Sequence, residues 1–183
     1  MVDLIGLEKS FLANHIKEGD RVADYTMGNG HDTLWLSNTV GEDGFVYAFD
    51  VQEAALESTQ KLLSSEGTYQ NYKLILDSHS NLKKYITSPI KAGVFNLGWL
   101  PGSDKVIRTM WETTEKAVRD AIEMLLPDGI VLIAVYPGHE EGNYEGQMLE
   151  RMLSEYDRRR ICVSCFRIVN SPTSPYFYIA EKK

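Results

Sequence analysis

The sequence predicts an α/β fold: a mainly parallel sheet flanked by helices, with an antiparallel hairpin at one edge. Three observations predict it. Short β-rich runs alternate with helical patterns, as in βαβ units. Residues 130–136 are almost all apolar, as expected of a strand covered on both faces. The last two β-rich runs, 161–169 and 176–180, are joined by about six residues. That is too short for a crossover helix, so the two pair antiparallel.

Leu4, Leu7, Phe11, Leu12 and Ile16 share one helical face, so the chain opens with a helix. Residues 21–25 form the first strand and 31–39 a short helix. Residues 45–49 form the second strand, and a helix spans about 53–65. Strands three and four fall at 72–76 and 92–97. A long helix covers 104–126, with Val106, Ile107, Met110, Trp111, Val118, Ala121, Ile122 and Leu125 as its buried stripe. Pro127-Asp128-Gly129 stops it. Strand five follows at 130–136, a last helix at 146–156, then the terminal hairpin.

The chain has 183 residues, which suggests a single domain spanning 1–183. Apolar residues make up 43% and charged residues 25%, so a packed core is expected rather than disorder. No apolar run reaches the length of a membrane span. The N-terminus lacks the basic and apolar regions of a signal peptide. Two cysteines make no disulfide framework, so a reduced, cytoplasmic protein is expected. The net charge of −7 argues against a general polyanion binder. Any RNA would have to meet a local basic patch, from Lys83, Lys84 and Lys91, Arg158 to Arg160, or Lys182 and Lys183; each also reads as a solvated face.

The strongest local signal is Asp24-Tyr25-Thr26-Met27-Gly28-Asn29-Gly30-His31-Asp32-Thr33. A strand enters a glycine-bearing turn and then a helix. Such glycines admit a ligand close to the backbone. Asp50 follows 20 residues after Gly30, at the end of the second strand, where a carboxylate can accept both hydroxyls of a ribose. The dinucleotide fingerprint would require a third glycine, but Thr33 stands there, preceded by Asp32. A carboxylate at a helix N-terminus suits the helix dipole and opposes a pyrophosphate. It suits a ligand with a cationic amino-acid end, such as S-adenosylmethionine (SAM). The plainer alternative is a turn followed by a helix cap.

Ser78 and His79, after the third strand, can wall an adenine or cap a helix. Asn96 ends the fourth strand and is followed by Gly98-Trp99-Leu100-Pro101-Gly102. Its oxygen can orient an amine toward an electrophilic methyl group, or it can simply form a turn. Trp99 can stack on a base or belong to the core. His139 can take a proton or be an exposed loop histidine. The candidate substrate-side residues are Trp99, Pro101, Gly102, Lys105 and Tyr136. Cys162 and Cys165 would face opposite sides of a strand and could not share a metal. No metal motif and no P-loop is present.

These segments, with Phe49-Asp50-Val51-Gln52, Asp77-Ser78-His79, Tyr136-Pro137-Gly138-His139 and Asn170-Ser171-Pro172, occur in an order that resembles one family. It is the small bacterial class I SAM-dependent methyltransferases labelled "putative rRNA methylase", understood as tRNA methyltransferases acting on 5-aminomethyl-(2-thio)uridine at the wobble position. The resemblance covers essentially the whole chain. It implies a Rossmann-like, seven-stranded sheet in the order 3-2-1-4-5-7-6 with strand seven antiparallel. It implies SAM contacts from Gly28, Asn29, Gly30, Asp32 and Thr33, ribose contacts from Asp50 and Gln52, and adenine-side contacts from Ser78 and His79. It also implies a homodimer and a tRNA anticodon arm as partner, with neither DNA nor membrane. The chain departs from the family pattern at Ser171-Pro172-Thr173-Ser174-Pro175, where a tighter Asn-Pro-Pro turn is expected.

The implied chemistry is N-methylation of a primary amine, with Asn96 orienting it and His139 a weaker candidate proton acceptor. Rival readings are methylation of rRNA or of a small amine, a nicotinamide-dependent oxidoreductase, and a non-catalytic nucleoside- or RNA-binding module.

Overall fold

The computed structural model describes residues 3–102, 107–137 and 140–183. Among them, seven strands form one sheet: β1 (Arg21–Asp24), β2 (Phe45–Asp50), β3 (Tyr72–Leu76), β4 (Ile90–Leu97), β5 (Leu125–Val135), β6 (Ile161–Phe166) and β7 (Tyr176–Lys182). The order is β3-β2-β1-β4-β5-β7-β6. Strands β3 to β5 run parallel, and β7 lies antiparallel between β5 and β6. The helices are α1 (Leu4–Ala13), α2 (His31–Val40), α3 (Glu53–Glu66), α4 (Trp111–Glu123) and α5 (Glu140–Ser154), with a short 3₁₀ helix at His79–Lys84. None is long and apolar enough to cross a membrane.

The apolar run of β5 has the cause expected from its composition. Successive residues enter opposite cores: Val131, Ile133 and Val135 face α4 and α5, while Ile130, Leu132 and Ala134 face α1 and α2. All six are buried. Alternate pointing of strand side chains makes a helix-covered strand apolar at every position.

The long helix expected at 104–126 is shorter at both ends. Its expected first turn lies partly outside the described residues, at Ser103 to Val106. Beyond these, Arg108 pairs with Trp99 in an antiparallel bridge, and Thr109 N donates to Gly98 O at 2.8 Å. That pairing holds the backbone extended, so α4 begins only at Trp111. Ile107 and Met110, expected in the core, are 47% and 48% exposed and line a cleft instead. At the other end α4 stops at Glu123, because Leu125 already pairs with Ile90. Pro127-Asp128-Gly129 therefore sits in a bulge: the register passes from Ile90↔Leu125 directly to Ala92↔Ile130. A side chain at Gly129 would meet two backbone oxygens within 3 Å, those of Leu126 and Lys91.

The last helix starts earlier than the expected 146, at Glu140. Gly146 is a site of close packing inside it, since a Cβ there would collide with the Tyr176 hydroxyl and with Val135.

The chain moves outward from β1 to β3 in one direction, then returns to β4 and moves the other way. Loops leaving β1 and β4 thus diverge at the carboxyl edge of the sheet. An open crevice forms at that point in doubly wound sheets.

Candidate functional site

A cleft of about 940 Å³ opens at this edge. Its volume is at the upper end for small-molecule sites. Every parallel strand contributes its carboxyl-terminal residues: Tyr25 to Asn29 follow β1, Asp50 to Gln52 follow β2, Asp77 to His79 follow β3, Asn96 to Pro101 follow β4, and Tyr136 follows β5.

At the centre, Asp50 organises the glycine turn. Its carboxylate accepts from Gly28 N at 3.1 Å and from Gln52 N at 3.0 Å. Burial pushes the Asp50 carboxyl up from its ordinary range, while these donors pull it down. Gly28 adopts φ +51, and its carbonyl accepts from Thr59 Oγ1 at 3.0 Å. Asn29 is held by Ser58, whose hydroxyl donates to Asn29 Oδ1 at 3.2 Å.

Toward β3, Asp77 accepts from Ser78 N, Asn81 Nδ2 and Tyr85 OH at 2.7–2.8 Å. Asn81 leads the groups that hold its carboxyl below the usual range. Ser78 both caps the 3₁₀ helix, accepting from Ser80 N, and lines the cleft. His79 also lines the cleft, and its Nδ1 lies 3.2 Å from Tyr25 O. Burial lowers the His79 pKa to about 4, so the ring is neutral at pH 7. A carbonyl partner requires the proton on Nδ1, which makes Nε2 an acceptor. That Nε2 is buried and has no partner among the described residues.

At the β4–β5 end, Asn96 Nδ2 donates to Asp32 Oδ2 at 2.8 Å, and Tyr136 OH donates to Asn96 Oδ1 at 3.4 Å. Lys9 Nζ lies 3.7 Å from Asp32 Oδ1. Beneath them Asp24 is fully buried and accepts from Thr33 Oγ1 at 2.6 Å and Thr26 N at 3.2 Å. Thr26 Oγ1 in turn accepts from Asn96 N at 2.7 Å. Desolvation first, then the Asp32 charge, raise the Asp24 carboxyl. This network fixes where β1 and β4 end relative to each other.

Residues 98–101 and 107–110 form one wall, tied to α5 at two points. Arg108 pairs with Glu141. Glu145, 4% exposed, accepts from Thr109 Oγ1 at 2.8 Å and Thr114 Oγ1 at 2.5 Å. Glu145→Ala is expected to destabilise the protein by about 1–3 kcal/mol, because the fully buried Thr114 hydroxyl loses its acceptor. Denaturant unfolding of the two proteins checks this.

The cleft gathers most of the residues singled out from sequence: Gly28, Asn29, Asp32, Asp50, Gln52, Ser78, His79, Asn96, Trp99, Pro101 and Tyr136. Thr33 is placed otherwise. It is fully buried behind the cleft wall, where its hydroxyl serves Asp24. Gly30 and Gly102 shape turns beside the cleft, at φ +86 and +89, without lining it. Lys105 and His139 lie outside the described residues. Lys83 is paired with Asp120 and Glu123, and Lys182 Nζ donates to the Glu123 and Leu125 carbonyls.

Sequence reasoning missed a contribution from α1: Ile5, Glu8 and Lys9 all line the cleft. A signal was present. Glu8 lies four residues from Leu4 and four from Leu12, so a carboxylate interrupts the apolar stripe of the opening helix.

Residues 46–182 match the family described as "Putative rRNA methylase". The chain belongs to this family. The methylase chain is 36% identical to a "putative rRNA-methylase" of Clostridium thermocellum, covering 100% of this chain and 99% of that one at a TM-score of 0.97. It is 35% identical to a "putative methyltransferase" of Streptococcus mutans solved in complex with SAH, at a TM-score of 0.91, covering 100% and 99% of the two chains. A curated relative, the chloroplastic tRNA (mnm(5)s(2)U34)-methyltransferase of Arabidopsis thaliana, is 34% identical over 178 residues. That match takes in 92% of this methylase and 65% of the relative's length.

Proposed function

We propose that the chain is a SAM-dependent methyltransferase that N-methylates the aminomethyl group of 5-aminomethyl-(2-thio)uridine at the tRNA wobble position. One observation carries this reading: a single cleft holds a ribose-type carboxylate, Asp50, at its centre and a polar group rich in carboxylates, around Asn96, at one end. Membership of the methylase family supports the activity, the S. mutans complex with SAH the cofactor, and the Arabidopsis relative the substrate.

The residues present fit SAM. His79 Nε2, a buried acceptor without a described partner, suits the exocyclic amine of an adenine. Asp50 and Gln52 would hold the ribose; Gly28, Asn29 and Asp32 would hold the amino-acid end, with Gly30 shaping the turn. SAM supplies an electrophilic methyl group when bound. The chain binds and orients the acceptor amine, excludes water and receives the amine's surplus proton. Asn96, set by Asp32 and Tyr136, orients the nitrogen, and Trp99 and Tyr136 wall the base. Most of the rate comes from alignment of the reacting groups.

The protein acts on the anticodon arm as a homodimer in the cytoplasm. Incubation with SAM and tRNA lacking the modification, followed by nucleoside mass spectrometry, tests the reaction. A methyl gain on aminomethyluridine supports it. A gain on rRNA instead, in line with the family description, or none on any RNA, overturns it. Asn96→Ala is expected to lower kcat at least tenfold, about 1.4 kcal/mol, while SAM affinity by calorimetry stays near wild type.

A further inference from the structure

Two carboxylates that line the cleft, Asp77 and Glu8, are not used by the mechanism above, and Asp77 is already engaged by Ser78, Asn81 and Tyr85. Glu8 projects from the middle of α1 into the cavity that Asp32, Asn96 and Tyr136 also line. It makes no hydrogen bond or ion pair to the described residues, unlike Asp32 and Asp50, which are both engaged. The same cavity contains the 9%-exposed His79, whose Nε2 has no partner among the described residues, an independent sign that this space receives a polar ligand.

We infer that Glu8 receives the acceptor amine, binding its ammonium form and taking the proton that must leave before nitrogen can be methylated. This rests on the methyltransferase reading and names the group that handles the substrate's charge. A primary ammonium has no lone pair. Transfer of one proton from nitrogen to a Glu8 oxygen frees the lone pair and neutralises the carboxylate. The methylated nitrogen is again a cation, now secondary, and the Glu8 proton leaves to water at the cleft mouth.

The surroundings suit the task. Lys9, from its own helix, and Asp3, which caps that helix, act on Glu8 in opposite senses; Asp32 acts from α2, and Tyr136 faces it from the end of β5. His31 lines the same cleft, and Asp24 lies beneath Asp32. Burial first, then Asp32, push the Glu8 carboxyl up to about 7. A carboxyl near 7 is a closer match to an alkyl ammonium, normally near 10, than one at its ordinary value. Burial first, then the charges of Glu8 and Asp32, raise the Tyr136 phenol to about 12, so it remains a donor. A bound cation stabilises the charged carboxylate and lowers its pKa.

The test uses anticodon stem-loop RNAs carrying either 5-aminomethyluridine or plain uridine, with wild type, Glu8→Gln and Glu8→Asp. Without SAM, wild type should bind the aminomethyl RNA at least tenfold more tightly, and Glu8→Gln should lose that preference while keeping SAM affinity. In turnover, the wild-type kcat/KM should rise with pH through about 7, and the limb in kcat should fall at lower pH. Glu8→Gln should lose the limb and at least 10²-fold in kcat, with partial rescue in Glu8→Asp. A Glu8→Gln protein that methylates the RNA with the wild-type pH profile and preference overturns the inference. If wild type itself neither prefers nor methylates the aminomethyl RNA, the substrate reading fails instead.

Discussion

Asp50→Ala is expected to weaken SAM binding at least tenfold, measured by calorimetry. Two losses combine. In the proposed binding mode the ribose hydroxyls lose a charged acceptor, and hydrogen bonds to charged groups contribute roughly 1.5–3 kcal/mol each. The turn also loses its brace, because the same carboxylate holds Gly28 N and Gln52 N. Asp50→Asn keeps one acceptor oxygen and should fall between the two. Since burial already raises the Asp50 carboxyl, its charged form also becomes less populated as pH falls, and SAM affinity should weaken toward acid. An alanine variant with unchanged affinity would mean that the ribose is held elsewhere.

Gly30→Ala should be the most disruptive single-methyl change at the site. Gly30 adopts φ +86, a left-handed conformation costing an L-residue about 1–2 kcal/mol. The added Cβ would also lie 2.8–2.9 Å from Thr59 Oγ1, Cγ2 and Cα on α3. Backbone cannot swing aside as a side chain can, so α2 and α3 must separate, at an overpacking cost of about 1–3 kcal/mol. At this chain length the sum corresponds to a Tm loss of about 4–20 °C. Gly67→Ala is the control: φ is +63, but nothing lies within 4 Å of its Cβ. It should show the conformational cost alone, about 2–8 °C. Equal losses in the two proteins would show that the contact with α3 is harmless. SAM affinity should fall only in Gly30→Ala, whose turn continues into Gly28 and the Asp50 brace.

Much of the site was legible because its signals are local. Gly28, Gly30 and Asp50 lie at spacings set by one βαβ unit, and that unit has few ways to fold. The order of the sheet agrees with the family resemblance, and the terminal hairpin follows from a connection too short for a helix. Thr33 was misplaced because a helix residue one turn past a binding loop can face either the ligand or the sheet. Here Asp24, a buried carboxylate, takes its hydroxyl. The start of α4 was misplaced because Ile107 and Met110 have helical spacing from Trp111. Only the pairing of Trp99 with Arg108 keeps them extended and turns them toward the cleft.

The amino-acid order alone determined the layered α/β architecture, the glycine turn and the carboxylate that follows it, because periodicity, backbone freedom and short-range spacing act within a few dozen residues. Only the tertiary structure decided that Glu8, from the first helix, meets Asp32, Asn96 and Tyr136, residues up to 128 positions further along the chain. Such meetings depend on how helices lie across the sheet, and that is set by the summed packing of both cores.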